Sequence, residues 1–430
     1  MSAVDAGNTL GVLEAARAIE IGELRSIDLV NACLDRIRRR ESTIGAWVYL
    51  DPDSARSVAI ACDKGPRRGP LHGVPIAVKD IIDTVDMPTE CGSPVYRGRR
   101  AAWDAACVAL AKRAGAVILG KTVTTEFAYF APGKTANPHN PEHTPGGSSS
   151  GTAAAVADHM VPAGFGTQTA ASIIRPASFC GVVGYKPSFG TFSLAGVKGF
   201  AESFDTLGLI TRNVIDVRYL RRALLGVPFE PRVSVAPSVL RIGLCKTPWW
   251  NDADAATRDA LGKVAGVLSA AGASVLEANL PSWFSALADV HKLIMAYEST
   301  RSLAYEYDAH RDNLSVQLRE LIEFGARIGR GDFESACADA EQARLEFDLW
   351  MDDFDLLLAP SAKGEAPAGL KVTGDPLFSR LWTLLHVPSI SLPGLLGPQG
   401  LPVGVQLIGR RGRDEQLLGC AESIEGALRA

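Results

Sequence analysis

The sequence predicts an α/β protein, a sheet with covering helices and one helical insertion, and three observations carry that expectation. From Gly73 onward, short apolar runs alternate with stretches of helical periodicity. Further strand-like runs recur toward the C-terminus, and between them Ala286 to Asp352 reads as one block of helix. A chain of 430 residues with 47% hydrophobic and 21% charged residues is long and apolar enough to bury the core such a sheet needs.

In chain order, Leu10 to Ala61 reads as helical: Ser26 is a candidate N-cap, and Ile27, Val30, Leu34 and Ile37 recur at three- and four-residue steps. A strand at Val74 to Val78, a helix at Asp104 to Ala114 and a strand at Ala116 to Leu119 follow. Later strand candidates are Val239 to Leu244, Ser274 to Glu277, Asp355 to Ala359, Ser389 to Leu392 and Val403 to Ile408. The proline-rich segment Pro228 to Pro237 reads as a domain seam or a surface loop, and no repeat or Gly/Ser linker divides the chain. The expectation is a single domain over 1–430, with N-terminal helices in 1–61, a core in 70–225 and the helical block in 286–352.

Composition narrows the partners. A formal net charge of −4, without a long Lys/Arg run, offers no footprint for nucleic acid or an anionic membrane surface, so a small molecule is the expected partner. Met1 to Leu10 carries Asp5 and no basic residue, unlike a secretory signal, and Val387 to Gly409 is broken by Pro388, Pro393, Pro398 and Pro402, unlike a spanning helix. The eight cysteines show no C-x-x-C pair and read as reduced thiols of a cytoplasmic protein. His139 and His143 have metal-ligand spacing for a helix, but Pro138 and Pro141 prevent that helix, so a loop role is expected and neither a metal nor a cofactor. Whether the chain self-associates is open, since an apolar helix face suits a core or a homo-oligomer equally.

Three segments have the composition of a reactive site. Asn137 to Gly151, NPHNPEHTPGGSSSG, feeds a Gly/Ser loop into the alanine-rich run Thr152 to Ala157, where helix-end N–H groups and hydroxyls converge; alone, it is as well read as a capped turn. Gly147 to Gly151 formally matches G-x-S-x-G, but Thr144, Pro145 and Gly146 stand where a nucleophile elbow needs a strand. Gly164 to Gly181 sets Thr167, Thr169 and Ser172 among small residues that let a substrate approach the backbone, or else forms a tight turn. Lys79 ends the apolar run Ile76 to Val78, where a snorkelling surface lysine is the ordinary explanation.

Taken together, the three segments resemble the amidase signature family in residue type, order and spacing. The family's lysine motif corresponds to Gly73 to Asp80, GVPIAVKD, its G-G-S-S-G-G loop to Gly146 to Gly151, and its G-T-D-T-G-G-S segment to Gly166 to Ser172. Lys79 and Ser148 lie 69 residues apart, and Ser148 and Ser172 lie 24 apart, as in the family's Ser–cis-Ser–Lys triad. Similarity continues through Phe179 to Gly181 and Lys186-Pro187 and returns at Leu401 to Gly409. The resemblance implies the amidase-signature fold, a central mixed β-sheet covered by helices on both faces.

It also implies a mechanism: Ser172 as nucleophile, Ser148 as proton relay across a cis Gly147–Ser148 bond, and neutral Lys79 as base, which requires burial to lower its pKa. Backbone N–H groups around Thr169, Ala170, Ala171 and Ser172 would hold the oxyanion, each worth about 3 kcal/mol. Ser149 would be a supporting hydroxyl. Three departures surround the nucleophile: Gln168 replaces the usual aspartate, Ala170-Ala171 replace Gly-Gly, and Ile174 then Arg175 replace the usual arginine. The suggested compensation is that Gln168 and Arg175 together stand in for a lost Asp–Arg contact. The implied activity is hydrolysis of C–N bonds in small amides or carbamates (urethanes) through an acyl-enzyme, with aryl esters as a further candidate class. The alternative is the catalytic component of a tRNA-dependent amidotransferase-type complex.

Overall fold

The computed structural model describes residues 7–230 and 235–429. Met1 to Ala6, with Asp5, and the middle of the Pro228 to Pro237 segment lie outside the described residues. Among the described residues, eleven strands form one sheet: β1 (Trp47–Leu50), β2 (Pro75–Lys79), β3 (Val117–Thr122), β4 (Ala163–Gln168), β5 (Val183–Lys186), β6 (Thr206–Thr211), β7 (Arg241–Leu244), β8 (Ser274–Glu277), β9 (Leu356–Pro360), β10 (Ser389–Leu396) and β11 (Pro402–Ile408). Their spatial order is β1-β3-β2-β4-β6-β5-β10-β11-β9-β7-β8. The sheet is mixed: β2 runs parallel to β3 and β4, and β7 parallel to β8 and β9, while the remaining pairs are antiparallel.

Strands β2, β3, β4, β6, β9 and β11 are buried at every residue, which requires helices over both faces of the sheet centre. At the margin β8 exposes Ser274, Leu276 and Glu277. The helices Ser150–Ala157 and Ile174–Cys180 pack together, the first against β2, β3, β4 and β6, the second against β5, β10 and β11. Val214–Leu225 and Asp414–Arg429 form another packed pair, joined to β6 and β10 respectively. The expected helical block is present as Leu287–Ser302, Ala304–His310, Val316–Gly325 and Arg330–Trp350.

The N-terminal expectation needs correction. The stretch read as helix from Leu10 to Ala61 divides into helices Val12–Glu20 and Ser26–Ile44, strand β1, and the start of helix Pro52–Lys64. The break comes at Gly45, whose left-handed φ of 62° ends the second helix and frees the β-favouring run Trp-Val-Tyr-Leu to pair with β3. Ser26 is not the N-cap either. Arg25 holds that position, Ser26 Oγ donates to Gly73 O at 2.8 Å, and the Asp63 carboxylate of the neighbouring helix accepts the Ser26 and Ile27 N–H groups at 2.7 and 3.0 Å. Strands β4, β5 and β6 were not anticipated; each contains glycine and is buried along its whole length, so no half-exposed face marks it in the sequence.

The helix Ser150–Ala157 sits close to β3 because Gly151 has no side chain. A Cβ there would stand 2.2 Å from Ala46 O and 2.4 Å from Val123 N, both backbone atoms with little room to yield. Gly151→Ala is therefore expected to lose about 3 kcal/mol of stability, read as a drop in the urea midpoint at unchanged slope.

Candidate active site

Lys79 closes β2, and the parallel register of β2 on β4, with Ile76 opposite Ala163 and Val78 opposite Phe165, brings both strand ends out at the same end of the sheet. There Lys79 Nζ donates to Thr167 Oγ1 at 2.8 Å and to Ser148 Oγ at 2.6 Å, with Thr167 O at 3.5 Å. Lys79 is 0% exposed. Burial pushes its amine well below the ordinary lysine value of 10.5, and the opposing pull of Asp205 is the weaker effect. A snorkelling surface position is thus ruled out.

Ser148 and Ser149 arrive from the loop that leads into helix Ser150–Ala157, and the Gly147–Ser148 peptide bond is cis. Thr125 N–H binds Ser148 O at 3.3 Å, and Ser149 N–H binds Ser172 O at 3.2 Å, tying the two serine segments together. Ser149 Oγ donates to Thr167 O at 3.3 Å and accepts from Thr167 N at 3.4 Å, so its hydroxyl clips the loop to β4. His139 and His143 lie in the same loop, each ring on a backbone carbonyl, Cys180 O at 2.9 Å and Ala366 O at 2.7 Å.

Beyond β4 the chain turns through Gln168 to Arg175. Gln168 Oε1 accepts the N–H groups of Ile173 and Ile174 at 2.9 and 3.1 Å, and its Nε2 donates to Thr383 Oγ1 at 3.1 Å. Thr383 Oγ1 in turn donates to Ala170 O at 2.9 Å. Arg175 reaches elsewhere, donating to Gly147 O and Gly374 O at 2.7 Å and to Thr373 Oγ1 at 3.3 Å. The suggested Gln168–Arg175 contact is therefore replaced by two separate tasks: the amide folds the turn, and the guanidinium fastens the serine loop to the turn. Burial pushes Arg175 down to about 9, with Asp375 opposing and Arg380 adding to the shift.

Two supports carry no motif in the sequence. Asp205 accepts from Thr169 Oγ1 at 2.5 Å and from the Phe200 and Ala201 N–H groups, and burial lifts its carboxyl to about 6. His291, from helix Leu287–Ser302, lies 2.8 Å from Thr169 O through Nε2 and stacks on Phe204. Contact with a carbonyl makes Nε2 the protonated nitrogen, and burial holds the ring neutral by pushing its pKa to about 3. With their carbonyls held back, Thr169 and Ala170 are fixed in orientation, and the N–H groups of Ala170, Ala171 and Ser172 meet no acceptor among the described residues.

Ser148, Thr169, Ala170, Ala171, Ser172 and Arg175 all line one cavity, of about 370 Å³ of atom-free space. Its far wall is Ala128, Tyr129, Phe130, Phe200, Met295, Pro376 and Arg380. Phe127 and Ala128 are left-handed, at φ 45° and 63°, in the turn that presents Tyr129 and Phe130 to the cavity. Ala128 to Phe130 and, from the helical block, Met295 thus contribute wall residues. Asn137 does not; its side chain donates to Thr144 O and Phe179 O. A roomier cleft of about 920 Å³ of atom-free space, walled by Arg68, Tyr219 and Phe229, contains none of these groups, so the chemistry is placed by its residues and not by cavity size.

Gln168→Leu preserves much of the volume but strands two buried N–H donors. A loss of about 2 to 4 kcal/mol in urea denaturation is expected.

Comparison with known proteins agrees with this geometry. The family model Amidase matches residues 28–418. A glutamyl-tRNA(Gln) amidotransferase subunit from Chloroflexus aurantiacus is 32% identical, covering 97% of this chain and 96% of that protein. Among solved structures, an amidase superposes with a TM-score of 0.89 at 31% identity, covering 97% of this chain and all of that one. The peptide amidase of Stenotrophomonas maltophilia superposes with a TM-score of 0.82 at 28% identity, covering 98% and 97%. The chain belongs to the amidase family, and its mixed sheet flanked by helices is that family's fold.

Proposed function

We propose that the protein hydrolyses the C–N bond of small amides or carbamates through an acyl-enzyme on Ser172, with Ser148 as proton relay and Lys79 as base. The observation that carries the reading is the 2.6 Å contact between Lys79 Nζ and Ser148 Oγ at a fully buried amine. A neutral amine has a lone pair to accept a proton, and a serine between it and the nucleophile can pass one on. Ser172 Oγ attacks the carbonyl carbon as its proton moves to Ser148 and the Ser148 proton moves to Lys79. The oxyanion rests on the N–H groups of the Ala170 to Ser172 turn, which have no other acceptor among the described residues. The protons return along the same chain to the leaving nitrogen as the C–N bond breaks, and water repeats the sequence to release the acid.

The formal charge of −4 supports a small substrate over a nucleic acid, and no described helix is long and apolar enough to cross a membrane. A second reading is favoured by one finding: curated relatives at 32 to 33% identity are glutamyl-tRNA(Gln) amidotransferase subunits, which would make this chain one part of an assembly. Size-exclusion chromatography with candidate partner proteins, coupled to ammonia release from glutamine, separates the two. Full hydrolysis of simple amides by the isolated chain favours the stand-alone enzyme, and glutamine-dependent activity only in a complex favours the assembly.

For the isolated chain, Ser172→Ala and Lys79→Ala should each lower kcat/KM on a p-nitroanilide by about 10⁴-fold or more. A variant as active as wild type removes that residue from the mechanism. The acid limb of the pH profile should report Lys79. Because burial depresses its pKa, the rate rises as pH passes the depressed value and levels off well below the ordinary 10.5. A limb still climbing near 10.5 would contradict a neutral Lys79 base.

A further inference from the structure

The cavity wall is cationic and holds no acid. Its residues include Arg175 and Arg380 and no Asp or Glu. Lys79 beneath it and His291 behind it are both pushed toward their neutral forms by burial, so neither changes that balance.

The two guanidiniums differ in employment. Arg175 is 4% exposed and donates from both Nη atoms, to Gly147 O, Gly374 O and Thr373 Oγ1, holding the backbone together, with Nε alone left without a partner among the described residues. Arg380, half-buried on helix Leu377–Leu384, has no side-chain hydrogen bond and no ion pair among the described residues. Burial lowers its pKa, with Asp375, Tyr129 and Asp289 pulling the other way from beyond ion-pair distance. Asp375 spends Oδ1 on Leu377 N–H at 2.9 Å. A partly desolvated guanidinium with five donors, beside a second cation and facing a cavity, is costly unless something negative completes it. The ordinary surface alternative, a solvated arginine on a charged face, does not fit a side chain that walls the same cavity as Ser172.

We propose that Arg380 is the substrate-recognising residue of this cavity and that the substrates are short amides or carbamates bearing a carboxylate, which Arg380 binds while Ser172 attacks. Planar carboxylate and planar guanidinium match in a two-point contact, and with Arg175 nearby the cavity's charge favours that anion over a neutral isostere. The inference rests on the hydrolase reading of Ser172 and adds the substrate class to it.

The test compares kcat/KM on matched pairs. One pair places the carboxylate on the acyl side, succinic acid mono-p-nitroanilide against butyric p-nitroanilide. The other places it on the amine side, 4-acetamidobenzoate against acetanilide. Wild type should prefer the carboxylate member of one pair by about 30-fold or more, and that pair identifies which side of the scissile bond faces Arg380. Arg380→Met should erase most of this ratio chiefly through KM, and Arg380→Lys should restore part of it. Equal turnover of both members of both pairs by wild type overturns the inference, as does an Arg380→Met variant that lowers charged and neutral substrates by the same factor. Should Arg380→Met fail to fold, wild-type preference and competition by free succinate against fluorophosphonate labelling of Ser172 still decide it. Labelling and neutral-amide cleavage without carboxylate preference remove this inference and leave the hydrolase reading standing. Absence of both labelling and cleavage removes the hydrolase reading itself.

Discussion

Burying a lysine amine without a carboxylate beside it is the constraint around which the site is arranged. Three lysines in this sheet are fully or almost fully buried, and their surroundings give them different fates. Lys121, on β3 next to Lys79 in the sheet, forms an ion pair with Asp80 at 2.9 Å and also reaches Pro88 O and Thr89 Oγ1. Lys186, closing β5, donates to Pro187 O and Val387 O, acceptors that favour a proton on the amine, and burial still brings it down to about 7. Lys79 instead has its two close contacts with hydroxyls, Ser148 Oγ at 2.6 Å and Thr167 Oγ1 at 2.8 Å, groups that accept from an amine and also donate to one, while its one carbonyl neighbour, Thr167 O, stands back at 3.5 Å. Desolvation works on all three, but only at Lys79 do the neighbours suit the neutral form.

The departures around Ser172 make sense against that constraint. Where the family pattern has an aspartate, Gln168 performs the turn-folding hydrogen bonds to Ile173 and Ile174 with a neutral amide oxygen, next to the residue that touches Lys79 Nζ. An amide at this place keeps a negative charge away from the amine. The charged group that acts on Lys79 is then Asp205, itself lifted to about 6 and engaged with Thr169 and two backbone N–H groups. The Ala170-Ala171 pair keeps its orientation through Thr383 and the neighbouring His291–Thr169 contact, so the turn is set from outside by side chains and needs less from glycine within.

How much of this was legible in the sequence follows from how local each determinant is. Lys79, Ser148, Ser149, Gln168, Ser172 and Arg175 sit in short motifs whose composition is visible in a few residues, and the structure brings all of them to one end of the sheet. The late strands and the helical block announced themselves by periodicity. Strands β4 to β6 did not, because a short glycine-containing strand buried on both faces has no half-exposed side to read. Strand β1 was hidden inside a helical stretch although Gly45 marked its start. His291 and Thr383 come from helices far along the chain, and each acts through a contact that only the tertiary fold creates; Arg380 reaches the cavity lining in the same way.

Specificity follows the same division. The Lys79 cluster with Ser148 and Thr167 is built on β2, β4 and the loop before helix Ser150–Ala157, whereas the rest of the cavity lining is assembled from the 128–130 turn, Phe200, Met295 and the Pro376 to Arg380 segment. The two are also joined directly, His291 to Thr169 O and Thr383 to Gln168 and Ala170 O, so the wall residues that make none of these contacts are the ones free to change without disturbing the turn. Overall identity near 32% is one figure for the whole chain and does not separate the two. Charge on the wall, where two guanidiniums face no acid, is therefore a better guide to what enters than likeness to an amidase or to an amidotransferase subunit.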